Sequence, residues 1–199
     1  MNPQFWNQRF SEDEPVYGLQ PNAFYASELA KLKPGKILFV AEGQGRNALH
    51  AANMGWEVTA FDYSEVARTQ ALESAAQARL SLDYRLMSYD ALELPLDYFD
   101  AVVSVFAHMP PVLRPQVHAQ LAQALAPGGQ LILEGFHKDQ LPLQSGGPKN
   151  EAMLFNEAEL RADFSPWLPS LEVTQVRERL SEGSYHQGEA ELIRVRGVR

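Results

Sequence analysis

Five short runs rich in apolar and β-branched residues recur at 36–41, 57–61, 82–87, 99–105 and 130–136. The clearest, Ile37-Leu38-Phe39-Val40 and Ala101-Val102-Val103, show no apolar–polar alternation, which predicts strands covered on both faces. Between the runs lie helical stretches at 47–54, 64–79 and 115–125. Gly55 caps the end of the first, Ser64 opens the second, and Pro127-Gly128-Gly129 stops the third, whose Val117, Leu121 and Leu125 fall four residues apart. Strand and helix alternating in this way predict a parallel sheet with helices on both faces. The C-terminal runs at 171–180 and 189–198 flank Glu182-Gly183-Ser184-Tyr185-His186-Gln187-Gly188 and predict an antiparallel pair with a long polar turn. The expected fold class is α/β: a Rossmann-like, doubly wound sheet, mostly parallel, closed by an antiparallel C-terminal hairpin.

Composition narrows the chemistry. Seventeen basic against 25 acidic residues give a net charge of −8 in a chain of 199, which disfavours nucleic acid and anionic membranes as partners. Cysteine is absent, so disulfides, zinc ribbons, iron–sulfur clusters and a cysteine nucleophile are excluded. The five histidines show no metal-ligand spacing such as H-E-x-x-H, and no metal is expected. No run approaches 18 apolar residues and Met1-Asn2-Pro3-Gln4-Phe5-Trp6 lacks the form of a signal peptide, so a cytoplasmic location is expected.

The first strand leads into Ala41-Glu42-Gly43-Gln44-Gly45-Arg46-Asn47 and then a helix. Glycines there allow a sharp turn and close approach to a ligand, and the helix start offers free N–H groups. Asp62 ends the second strand, where a carboxylate can take both ribose hydroxyls of a nucleoside. Two cofactors fit. Gly43-x-Gly45-x-x-Ala48 satisfies the dinucleotide fingerprint, which suits NAD. S-adenosylmethionine is favoured by the bulk of Arg46 and Asn47 where a pyrophosphate would lie, by a second carboxylate at Asp90 after the third strand, and by the closing hairpin.

These residues resemble the class I S-adenosylmethionine-dependent methyltransferases, and most of all their small-molecule branch of tellurite-resistance and thiopurine S-methyltransferase-like enzymes. The resemblance rests on Gly43-Gln44-Gly45-Arg46-Asn47-Ala48-Leu49, Gly55-Trp56-Glu57-Val58-Thr59-Ala60-Phe61-Asp62, Asp90-Ala91-Leu92-Glu93-Leu94-Pro95 and Pro127-Gly128-Gly129. It implies a single domain over 1–199, with an N-terminal cap at 1–34, a cofactor-binding core at 36–136, a lid region at 137–170 and a hairpin at 171–199. The cofactor-facing set it implies is Trp6, Arg9, Glu42, Gly43, Gly45, Arg46, Asn47, Asp62, Tyr63, Asp90, Ala91 and Phe106. The chain departs from the family at Phe39, where an acid is usual, and at Ala41, where a glycine is usual. Glu42 is the candidate to replace the lost charge.

Ligands of open α/β sheets lie beyond the carboxyl ends of the strands. That rule makes His108, Glu134 and His137 the acceptor-side candidates, with His108 the leading general base and Glu134 an orienting carboxylate. The polar stretch 138–150 reads as a lid, and the aromatic cluster from Phe5 to Tyr25 as a cap that excludes water. The expected activity is methyl transfer to a small molecule, a thiol or a chalcogen oxyanion. An NAD-dependent oxidoreductase and a non-catalytic S-adenosylmethionine-binding module are the alternatives.

Overall fold

The computed structural model describes residues 3–12 and 15–199; within the expected N-terminal cap, Met1, Asn2, Asp13 and Glu14 lie outside the described residues. The strands are β1 (Lys36–Val40), β2 (Glu57–Asp62), β3 (Asp83–Leu86), β4 (Phe99–Val105), β5 (Leu125–Phe136), β6 (Ser170–Glu182) and β7 (His186–Val198). The helices are α1 (Pro3–Phe10), α2 (Ala23–Leu29), α3 (Arg46–Asn53), α4 (Glu65–Gln77), α5 (Arg114–Ala124) and α6 (Glu157–Phe164). These strands form one sheet in the order β3-β2-β1-β4-β5-β7-β6. β1 to β5 run parallel, and β7 inserts antiparallel between β5 and β6.

Both faces of the sheet are covered, which is why its central strands lack alternation. On β1, Ile37 and Phe39 pack with Tyr25, Ala48 and Ala71 on one side, while Leu38 and Val40 pack with Val117, Leu121 and Phe164 on the other. Helix α4 buries Ala67, Ala71 and Ala75, a stripe of methyls that lets it approach the sheet closely. Its N-cap is Ser64, whose side chain accepts from the Ala67 N–H at 3.2 Å. Across the other layer, Arg114 Nε and His118 Nδ1 both reach Asp163 Oδ2, at 2.9 and 2.8 Å, and join α5 to α6.

Two boundaries differ from the sequence reading. β5 starts at Leu125 and carries Pro127-Gly128-Gly129 inside it, with a register shift opposite Phe99 and Ala101 that absorbs the extra residues. A side chain at Gly129 would lie 2.8 Å from the carbonyl oxygens of Ala126 and Phe99, so only glycine passes there. The hairpin turn is also shorter, because β6 continues to Glu182 and β7 begins at His186. Of its polar residues, Glu182 ends the edge strand β6 and His186 opens the inner strand β7, and charges on β6 pair across to β7, as in Arg177–Glu191 at 2.5 Å and Arg194–Glu178 at 2.8 Å. Charged edges of this kind discourage pairing with other chains. The stretch read as a lid is pinned by buried Gln140, which donates to Ser145 Oγ and accepts from the Glu191 N–H, both at 2.9 Å. With order β2-β1-β4, the connections diverge between β1 and β4, and a crevice opens there at the carboxyl ends.

Candidate functional site

The chain leaves β1 through three left-handed positions: Ala41 (φ 48°), Gly43 (φ 60°) and Gly45 (φ 85°). Ala41 therefore holds the turn a glycine would take more cheaply, at a cost of about 1 kcal/mol. The loop is locked by its neighbours. Asp62 accepts from the Gly43 N–H at 3.0 Å and the Ser64 N–H at 2.8 Å, and the Tyr84 hydroxyl donates to the Gly43 carbonyl at 2.6 Å. A side chain at Gly45 would meet the Ala71 methyl at 2.8 Å. Phe39, in place of an acid, lies in the core against Tyr25 with ring centroids 5.5 Å apart.

Glu42 does two things at once. Its Oε1 accepts from the Asn47 and Ala48 N–H groups at 2.8 and 2.7 Å, satisfying the start of α3. Among the described residues its Oε2 has a single contact, from Asn47 Nδ2 at 3.5 Å, and the residue borders the crevice. Burial lifts its carboxyl to about 7, against the pull of those N–H groups and of Arg46. Burial also holds the Asp62 carboxyl above its ordinary value, opposed by the backbone donors of Ser64 and Gly43.

The crevice encloses about 680 Å³, within the range of cofactor sites. Of the residues singled out in the sequence, Trp6, Arg9, Glu42, Gly43 and Arg46 border it, as do Asn47, Asp62, Tyr63, Phe106 and His108. Gly45, Asp90, Ala91, Glu134 and His137 are not in its wall. Gly45 faces α4 instead. Asp90 and Ala91 are exposed on a 3₁₀ turn whose buried member, Tyr89, supplies the wall. Glu134 is sealed inside, accepting from Asn22 Nδ2 and Arg194 Nε, both at 2.6 Å. His137 Nδ1 accepts from the Asp139 N–H at 3.1 Å, outside the crevice.

His108 reaches the wall, but its two ring nitrogens are taken. Nδ1 lies 2.8 Å from the Met153 carbonyl and must donate, so Nε2 accepts from the Phe136 N–H at 3.0 Å. Burial pushes its pKa down to about 4, against the Met153 contact. A neutral imidazole held by backbone at both ends is a structural pin; it corrects the sequence expectation of a base here.

Phe136, Tyr185 and His186 are wall residues that escape the sequence reading, while Tyr17, read as part of the cap, and Gln144 with Gly146 to Lys149, read as part of the lid, border the crevice too. Tyr185 and His186 arrive because the hairpin tip folds onto the N-terminal segment. Gly183 sits where a side chain would be 2.4 Å from the Val16 carbonyl oxygen and the Gly18 nitrogen. Arg46 straps the two, donating to Glu182 Oε2 at 2.6 Å and to the Tyr17 carbonyl at 2.8 Å. The Arg9 guanidinium lies 3.8 Å over the Tyr185 ring, and Phe10 packs on Gly43. The pairing of glycines at 18 and 183 was the available signal, but it joins positions too far apart to be read locally.

The donor set suits a nucleoside with a cationic tail. Asp62 uses one lone pair of each oxygen on backbone N–H groups, which leaves two for adjacent sugar hydroxyls. Among the described residues the buried Tyr89 hydroxyl has no hydrogen-bond partner, and Tyr89 and Tyr63 border the same space. Trp6 and Phe106 offer flat apolar surface, and Glu42 a carboxylate oxygen.

Residues 37–129 match the family described as methyltransferase domain. The chain is 31% identical over 138 residues to hemagglutinin 1 of Eikenella corrodens, covering 67% of this chain and 44% of that one. It is 27% identical over 139 residues to a probable S-adenosyl-L-methionine-dependent methyltransferase TehB of Haemophilus influenzae, covering 68% and 47%. The chain thus spans about half the length of the curated relatives it matches. Among solved structures, TehB from Haemophilus influenzae superposes with a TM-score of 0.71 at 17% identity, over 89% of this chain and 62% of that one. A structure from work on converting a disulfide bond into a thioacetal group in echinomycin biosynthesis gives 0.73 at 20% identity, over 94% and 85%. Residues 37–129 thus carry the match to a methyltransferase domain, and the sheet around the crevice, with its antiparallel C-terminal pair, has the fold of TehB from Haemophilus influenzae.

Proposed function

We propose that the protein transfers a methyl group from S-adenosylmethionine to a small molecule, a thiol or a chalcogen oxyanion. The observation that carries this reading is the Asp62 carboxylate, tied to Gly43 and Ser64 and bordering a crevice walled by α1 and the hairpin tip. Bound there, the cofactor supplies a methyl activated by its sulfonium. The protein's part is to hold and to shield. Asp62 takes the ribose hydroxyls, Glu42 the ammonium end, and Trp6 and Tyr89 the flat sides, while α1 and the hairpin exclude water from the reacting centre. A small acceptor is favoured by the crevice itself, whose 680 Å³ must hold the cofactor as well, and the thiol or chalcogen class by the resemblance of the glycine loop and the block ending at Asp62 to the small-molecule branch.

S-adenosylhomocysteine should raise the melting temperature while NADH leaves it unchanged, because Arg46, strapped to Tyr17 and Glu182, fills the place of a pyrophosphate. Methyl release would then be followed with thiols, selenite and tellurite. Stabilisation by NADH alone would reverse the reading. Binding of S-adenosylhomocysteine with no transfer to any acceptor would favour a non-catalytic binding module.

Glu42 gives this reading a pH signature. A cation at Oε2 favours the ionised carboxyl, so its pKa, about 7 in the free protein, falls on binding. Cofactor affinity should therefore rise with pH through about 7, with proton release seen by calorimetry in buffers of different ionisation heat. Glu42→Gln should weaken binding several-fold and abolish that release. An unchanged dissociation constant and unchanged proton release would remove Glu42 from the ammonium site.

A further inference from the structure

The crevice holds a second histidine, and its situation is the reverse of that of His108. His186 opens β7 directly across the turn from Glu182, the last pair of the hairpin register, and borders the crevice. Its ring is boxed by Phe106, Tyr17 and Phe136, with centroids 4.4, 4.7 and 5.2 Å away. Among the described residues Nδ1, which is buried, has no hydrogen-bond partner and lies 3.8 Å from Glu182 Oε2. A buried ring nitrogen left unpaired calls for an explanation, and catalytic hydrogen bonds are often long before substrate binds. Glu182 itself is fixed: Oε2 accepts from Arg46 at 2.6 Å and Oε1 from Asn22 Nδ2 at 3.1 Å.

We infer that His186 is the acceptor-side base, oriented by Glu182, and that the acceptor arrives with a proton on its nucleophilic atom, as a thiol does. This rests on the methyltransferase reading. It also separates the two acceptor classes proposed above, since an ionised oxyanion needs no base. An Nδ1–H directed at Glu182 leaves Nε2 with its lone pair to receive a proton. In the step, the acceptor sulfur forms the new bond to the methyl carbon and the carbon–sulfonium bond breaks, its electron pair staying on the cofactor sulfur. The acceptor's proton passes to Nε2, and the resulting imidazolium faces Glu182. Burial holds His186 below its ordinary pKa while Glu182 pulls it back, so the ring starts neutral at pH 7. Burial alone would raise Glu182, but its contacts with His186 and Arg46 prevail and keep it ionised. The other titratable or charged groups around it are His108, pinned neutral, Tyr17 and Tyr185, both raised above their ordinary values, and Arg9 over Tyr185.

Two measurements test this on the full chain. Imidazole nitrogen NMR with S-adenosylhomocysteine bound should show His186 as the Nδ1–H tautomer, and Glu182→Gln should lower its pKa. An Nε2–H tautomer overturns the inference whether or not turnover is seen. His186→Gln should reduce kcat at pH 7 by about 100-fold or more for 2-mercaptoethanol, a protonated thiol at that pH. It should change the rate with 4-nitrothiophenol or selenite, which need no base, by only a few-fold, and leave S-adenosylhomocysteine affinity intact. Equal losses on all acceptors, or no loss, would overturn the base role while leaving the methyltransferase reading standing. Failure of the wild-type chain to bind S-adenosylhomocysteine would defeat that reading itself. Should His186→Gln not fold, or no acceptor turn over, the tautomer and pKa in the wild-type protein decide.

Discussion

Asp62→Ala is expected to weaken S-adenosylhomocysteine binding by at least about 100-fold, the largest loss of affinity from any single residue of the crevice. Two hydrogen bonds from ribose hydroxyls to an ionised carboxylate contribute about 1.5 kcal/mol or more each, and 1.4 kcal/mol is a factor of about ten. The same substitution has a structural cost. It strands the Gly43 and Ser64 N–H groups, which Asp62 now accepts at 3.0 and 2.8 Å, so stability should fall by about 1–3 kcal/mol. The two effects separate if calorimetric titration is run well below the melting transition of the variant. Asp62→Asn sharpens the result, because an amide keeps one acceptor oxygen but turns an NH₂ toward the other donor. An affinity within about threefold of wild type in both variants would mean that the nucleoside does not bind at the end of β2.

What could be read from the sequence was local. The glycine loop and Asp62 stand nineteen positions apart within one strand–helix–strand unit, so spacing alone places them together. The central strands were equally plain, since Ile37 to Val40 and Ala101 to Val103 are buried on both faces. The residues whose roles changed are those with distant partners. Arg46 looked like a cofactor contact from its place on the first turn of α3, yet its guanidinium is spent on Tyr17 and Glu182, the latter 136 positions away. His108 and His137 share the position of strand-end residues, and nothing nearby in sequence tells that Met153 and Phe136 occupy both nitrogens of the first. His186 was hidden for another reason. At the tip of a hairpin, strand residues are as polar as those of a turn, so Glu182 to Gly188 reads as one loop, and only the register shows Glu182 at the end of β6 facing His186 at the start of β7. Ala41 shows the opposite case: the backbone takes a left-handed turn although the residue there carries the Cβ that disfavours it.

Glu134→Ala should produce the largest loss of stability. Glu134 is 1% exposed and accepts from Arg194 Nε and Asn22 Nδ2, both at 2.6 Å. Burial pushes its carboxyl up, and Arg194 and Asn22 pull it back. Arg194 keeps its bidentate pair with Glu178 at 2.8 Å, so the cost is that of stranding two buried donors, Arg194 Nε and Asn22 Nδ2, about 2–4 kcal/mol together. For a chain of this size each kcal/mol moves the melting temperature by about 2–4 °C, so a fall of about 4–16 °C is expected. The damage should spread toward the N-terminus, because Asn22 also caps α2 and touches Glu182, and Asn47 Oδ1 accepts its N–H at 2.9 Å. Glu134→Gln isolates the role. The amide oxygen can still accept from Arg194, and since Glu134 is absent from the crevice wall, S-adenosylhomocysteine affinity and turnover should stay within about threefold where the variant is folded. A variant that kept its melting temperature but lost turnover would reverse this assignment and return Glu134 to the acceptor side, where its place at the end of β5 first suggested it.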